Sequence, residues 1–250
     1  MRPETQLFNS LIITTALVMT GCSSSSSSSG VDDIADDVDD PIGIVDADDS
    51  ADDIGADTEG SAVTMSFFLT SVGLGDGANL GGLPGADVHC ANLAEAAGSV
   101  GAEWRAYLST TGADGENAIE RIGSGPWVNF NGVTVATDPA NLLAANSNIT
   151  LETAITENGD EVNGIGFVPL KHDILTGTEA NGMASTVTTD TTCGNWTSND
   201  VGNAIIGHHD RVGGGTDPTS FSSAHGSNGC SQAGLQSTGG DGLFYCFAMN

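Results

Sequence analysis

Positive charge is nearly missing from this sequence. Five Lys and Arg side chains stand against 33 Asp and Glu over 250 residues, a formal net charge of −28 at pH 7, and Lys171 is the lone lysine. Such a chain repels phosphate backbones and anionic headgroups, which excludes nucleic acid as a partner. Cationic ligands, divalent metals and neutral sugars stay compatible with it. Long apolar runs are missing too. The longest, residues 7–19, is interrupted by Asn9, Ser10 and two threonines and is too short to span a bilayer comfortably.

Several catalytic and metal signatures are also absent. No two cysteines have the spacing of a zinc ribbon, no HExxH pair marks a metalloprotease helix, and no GxSxG elbow marks a hydrolase nucleophile. The glycines of residues 73–82 fall out of register with GxGxxG, and no parallel βαβ pattern follows them, so a dinucleotide fold is rejected. The Asp pairs near the N-terminus lack the spacing of an EF-hand loop.

What is present begins with export. Arg2 gives a weakly positive start, the apolar run follows, and Met19-Thr20-Gly21-Cys22 closes it with small residues before a cysteine. This resembles the bacterial lipobox, which implies that residues 1–22 are a signal peptide and that Cys22 is lipidated. Residues 23–29 are all serine, and residues 30–60 hold thirteen acidic side chains and no basic one. Residues 23–62 therefore read as a self-repelling, disordered tether. Ser23 and Ser24 after the lipidated cysteine favour the outer membrane and surface display. Setting Cys22 aside leaves Cys90, Cys193, Cys230 and Cys246, an even set that reads as two disulfides with three possible connectivities.

Residues 63–250 read as one folded domain. Residues 64–72 are rich in Phe, Val, Leu and Thr and predict a strand. Ala86, Cys90, Leu93, Ala94 and Ala97 recur at helical spacing, with Pro84 near the start and Gly98 just past the end. Trp104, Ala106 and Leu108 alternate with polar neighbours, and residues 127–136 carry a hairpin signal at Asn131-Gly132. A weaker helical patch covers residues 139–145. Later apolar bursts, Ile174-Leu175, residues 204–206 and residues 243–248, are separated by long polar loops. The class is α+β, with few helices, many short strands and long stapled loops.

Four of five histidines fall in the loop-rich half, in the clusters His172-Asp173 and His208-His209-Asp210 and at His225. Imidazole beside carboxylate suits a borderline metal. The candidate ligands are His172, Asp173, His209, Asp210 and His225, with His209 preferred to its neighbour His208. Zn²⁺ there could activate water, which gives a hydrolase reading. Trp196, flanked by Asn195, Asn199 and Asp200, has the makings of a sugar site, where an aromatic face stacks on the ring and polar groups take the hydroxyls, often through Ca²⁺; the competing reading, and the favoured one, is that it packs the core beside the Cys193 disulfide.

Five blocks carry a family resemblance: residues 68–73 (FLTSVG), 79–87 (NLGGLPGAD), 104–109 (WRAYLS), 193–198 (CGNWTS) and 242–247 (GLFYCF). They resemble a bacterial family of lectin-like secreted proteins, related to the domain of unknown function in leptospiral surface lipoproteins and distantly similar to endostatin and C-type lectin-like folds. The resemblance implies a C-type lectin-like fold and nested disulfides, Cys90 with Cys246 and Cys193 with Cys230. It also implies a surface module that binds a carbohydrate or an extracellular partner. The Pro-containing tripeptide of calcium-dependent lectins is not present. The other readings are a metal-dependent hydrolase and a structural envelope protein.

Overall fold

A computed structural model describes residues 64–249; the signal peptide, Cys22 and the acidic tether lie outside them. In chain order the regular elements are β1 (Phe67–Leu69), α1 (Gly82–Ala96), β2 (Trp104–Ala106), β3 (Trp127–Val128), β4 (Thr134–Ala136), α2 (Pro139–Leu143), β5 (Asp173–Leu175), the helical turn α3 (Cys193–Trp196), β6 (Ile205–His208), β7 (His225–Gly226), α4 (Gln232–Gln236) and β8 (Gly240–Ala248). The domain is α+β.

The last strand organises the rest. β8 pairs antiparallel with β1 and with β2, and parallel with β5, from which β6 and β7 continue the same sheet. Successive side chains of a strand point to opposite faces, and here both faces are covered. Phe244 and Cys246 join the core under α1 with Phe68, Trp104 and Leu175, while Leu243, Tyr245 and Phe247 join a second core with Phe67, Tyr107, Trp127 and Phe221. Burial on both sides is why this stretch reads as a continuous apolar burst rather than an alternating one.

α1 starts four residues before its first periodic apolar position, on the left-handed Gly81. It is fixed to β2 by one buried carboxylate. Asp87 accepts from Arg121 Nη2 through both oxygens at 2.8 Å, from Arg105 Nη1 at 2.8 Å and from the Ala106 N–H at 2.9 Å. Multiple charge-assisted bonds offset the cost of burying that charge.

The β3–β4 hairpin is looser than a two-residue turn. A register shift at Trp127/Val128 shortens the ladder, and the Asn129 side chain closes the turn by accepting from Asn131 N–H and Val133 N–H. α2 is held at its start by Asp138, which accepts from Asn141 N–H at 2.9 Å.

Two disulfides staple the fold, Cys90–Cys246 across 156 residues and Cys193–Cys230 across 37. The first ties α1 to β8, and the second ties α3 to the loop before α4. Chain-entropy reasoning values them at about 5 and about 4 kcal/mol.

Candidate metal centre

Three strands bring the centre together. Asp173 opens β5 and pairs across the ladder with His208, the last residue of β6, while His225 opens β7 opposite Ile206. Partners across an antiparallel ladder project to the same face, so Asp173, His208 and His225 emerge side by side. His172, just before β5, stacks its ring on His208 with centroids 4.2 Å apart and planes 14° from parallel.

The four side chains gather around one carboxylate oxygen. Asp173 Oδ1 lies 3.1 Å from His172 Nε2, 3.3 Å from His208 Nε2 and 3.6 Å from His225 Nε2. Ligand atoms of His172, Asp173 and His208 all lie within 4.8 Å of one another. A tetrahedral Zn²⁺ with bonds of about 2.0–2.1 Å spaces its ligands about 3.3 Å apart. His172, Asp173 and His208 are buried, and His225 closes the remaining side with its side chain 23% exposed.

The second ring nitrogens decide the tautomers. His208 Nδ1 lies 3.0 Å from the Pro218 carbonyl, His225 Nδ1 lies 3.0 Å from the Gly226 carbonyl, and His172 Nδ1 lies 3.3 Å from Asp210 Oδ1. Carbonyl oxygens only accept, so Nδ1 of His208 and of His225 carries a proton and Nε2 of each ring faces Asp173, while His172 has a carboxylate oxygen against both nitrogens, Asp210 at Nδ1 and Asp173 at Nε2. All three Nε2 atoms face the same carboxylate oxygen, and Asp173 Oδ1 and His208 Nε2 are buried. Nitrogens and an oxygen gathered this closely are held either by protons or by a metal cation between them.

The two carboxylates favour a charged His172. Burial opposes charge on His172, but Asp173 and Asp210 outweigh it and raise its pKa to about 9. Burial likewise opposes charge on Asp173, yet His172, His208 and the Thr238 hydroxyl lower its pKa to about 2. The pocket favours positive charge at its centre.

Close backbone packing leaves the rings little room. A Cβ on Gly213 would lie 3.0 Å from His172 Cε1 and 3.2 Å from His208 Cε1, one on Gly239 would lie 3.0 Å from His172 Cδ2, and one on Gly215 would lie 2.8 Å from His225 Cδ2. All three glycines have positive φ, a conformation that side chains disfavour.

No protein-family model matches this chain, and no curated protein matches it. The chemistry of the centre therefore rests on its own geometry.

Two expectations on ligand identity need correction. His209 does not join the cluster; His208 takes that place. Consecutive residues at a strand end project to opposite sides, and His209 goes into the buried interior, where desolvation lowers its pKa to about 4 and keeps it neutral. Asp210 is an outer partner rather than a direct ligand: it orients His172 through Oδ1 and accepts the Ile165 N–H at 2.8 Å through Oδ2. His89 is remote from the site, bonded to the Val72 carbonyl.

The aromatic sugar platform is corrected as well. Trp196 is fully buried, and its Nε1–H donates to the Ser109 carbonyl at 2.8 Å, so it offers no face to a ligand. It ends a left-handed turn, with positive φ at Cys193, Gly194, Asn195 and Trp196. Left-handed backbone costs a non-glycine residue about 1–2 kcal/mol. The Cys193–Cys230 bond, the buried indole and Asn195, which accepts from Thr111 N–H and donates to the Thr111 carbonyl, hold the turn in place. Asn199 and Asp200 are exposed, and Asn199 donates to Asp76.

Proposed function

We propose that this protein is an exported zinc-binding domain. Nε2 of His172, His208 and His225 and a carboxylate oxygen of Asp173 would hold the ion, and Asp210, Pro218 and Gly226 would orient the imidazoles. The observation that carries this reading is that all three histidines commit Nδ1 to an oxygen acceptor while aiming Nε2 at the same buried carboxylate. Three imidazoles with one carboxylate form a borderline donor set suited to Zn²⁺, whereas Ca²⁺ takes six to eight oxygens. Ligand atoms of His172, Asp173 and His208 already lie within a metal's reach of one another, and His225, 3.6 Å from Asp173, would turn in to complete a tetrahedral shell. A filled shell describes a structural ion rather than one that activates water.

Elemental analysis of protein purified without a metal-affinity step tests this. One zinc per chain is expected, removable by a chelator with a fall in thermal stability. Protein that carries no zinc and gains no stability from added Zn²⁺ would refute the reading.

The α+β architecture and the nested disulfides support a second proposal: a C-type lectin-like module, anchored at Cys22 and displayed on its acidic tether to recognise a glycan or an extracellular partner. No helix among the described residues is long and apolar enough to cross a membrane. Labelled palmitate should enter the wild-type chain and not Cys22→Ser. Equal incorporation in both would remove the anchor from the proposal.

A further inference from the structure

We infer that segment 212–218 is a lid latched by the metal, so that lid closure and zinc retention are one event. The inference rests on the zinc reading above and adds a route by which the ion enters and leaves.

The segment touches every imidazole of the centre. The Pro218 carbonyl accepts from His208 Nδ1–H, the Gly213 backbone lies against the rings of His172 and His208, and the Gly215 backbone lies against His225. Removing the ion would take away one of the two bonds that fix the His208 ring and so weaken its hold on Pro218. Opening the lid, conversely, removes both the packing that holds the rings in place and the acceptor that fixes the His208 tautomer.

The lid is also built to open. Three consecutive glycines, Gly213, Gly214 and Gly215, give it the largest conformational entropy to recover when it lifts. Its tip is tied down where Thr216 N–H and Asp217 N–H both donate to the Ala224 carbonyl, at 2.9 and 3.1 Å, immediately before the ligand His225. A weakly tied segment that covers a ligand set is biased by whatever binds there, and by linkage a more stable closed lid holds the ion more tightly.

The glycines supply a matched pair of variants. A Cβ at Gly215 would meet the Ala224 carbonyl oxygen and His225 Cδ2 at 2.8 Å on a backbone with φ +114, whereas a Cβ at Gly214 would meet nothing within 4 Å. Gly215→Ala should therefore prop the lid open and Gly214→Ala should not.

The experiment uses the full chain loaded with Zn²⁺. Release to excess chelator is followed in the wild type and both variants, and amide hydrogen exchange at Thr216 and Asp217 is followed in the wild type with and without zinc. The proposal expects those amides to be protected with zinc and to exchange freely once it is removed. It also expects release from Gly215→Ala to be about 10- to 100-fold faster than wild type, the scale of outer-partner losses, with Gly214→Ala unchanged. Stoichiometric zinc with amide exchange that is the same in both states would overturn the lid alone. So would equal release from both variants. If Gly215→Ala fails to fold, the wild-type exchange comparison still decides. A wild-type chain that binds no zinc would overturn the lid together with the reading beneath it.

Discussion

The two ends of the central sheet are fastened by different chemistry. At the β1–β2–β8 end, α1 is locked to the sheet by Cys90–Cys246 and by the Asp87 ion pairs with Arg105 and Arg121. At the β5–β6–β7 end neither disulfide reaches the strands, and β7 is two residues long. There His172, Asp173, His208 and His225 cluster instead. A covalent link restricts the unfolded chain whatever the medium contains, as long as it is oxidised. A metal link stabilises only in proportion to free ion and only while its ligands are deprotonated. One end of the domain should thus answer to redox conditions and the other to metal and pH.

The largest separation of the two ends comes from cutting the covalent one. Cys90→Ser with Cys246→Ser should lower unfolding free energy by about 5 kcal/mol, read by denaturant titration. Such variants as fold should keep their zinc, because the centre lies on other strands. Zinc lost in step with the disulfide, in protein still folded, would mean the two fasteners are a single unit.

Next in size is the choice between adjacent histidines. His208→Ala should abolish zinc retention and with it the rise in melting temperature that zinc gives the wild type. His209→Ala should keep the zinc. The reverse pattern would put the wrong imidazole at the centre.

The smallest effect, and the sharpest in sign, is pH. In the metal-free protein His172 has a pKa raised to about 9, against about 6.5 unfolded. Its contribution is complete below about pH 6.5 and fades as pH climbs toward 9. His209, depressed to about 4, acts in the other direction: the unfolded chain takes up its proton first, so stability falls as pH drops from about 6.5 toward 4. Metal-free protein should therefore melt highest near pH 6.5. Zinc-loaded protein needs deprotonated ligands, so its melting temperature should keep rising from acid through neutral pH and stay high where the metal-free form declines. Superimposable melting curves with and without zinc from pH 5 to 9 would leave the metal without a structural role.

Some of this was legible in the sequence because it depends on local pattern. The periodic apolar positions of α1, the apolar run of β8 and the Pro139 start of α2 all report local burial or capping. The extent of the first strand was not: from residues 64–72 the regular strand covers only Phe67–Leu69, because the Thr70 hydroxyl takes the Phe244 N–H in place of a backbone carbonyl and Ser71 turns away to Glu157. The candidate site was half legible. His172-Asp173 and His225 could be picked as donors by type. Choosing His208 over His209 needed the β5–β6 register, which places Asp173 opposite His208 from 35 residues away, and no local signal carries that. Core packing of Trp196 beside the Cys193 disulfide was legible, but its partner was not: the carbonyl of Ser109, 87 positions earlier, completes the indole.

The Cys90–Cys246 bond has one more consequence. It encloses 156 residues, nearly all of the domain's loops, in a covalent ring. A protease that nicked one of those loops would leave two pieces joined at the ring's clasp, still held in register by the sheet. On a gel the damage would show only after reduction. Such a ring would keep a cut chain together as one folded molecule.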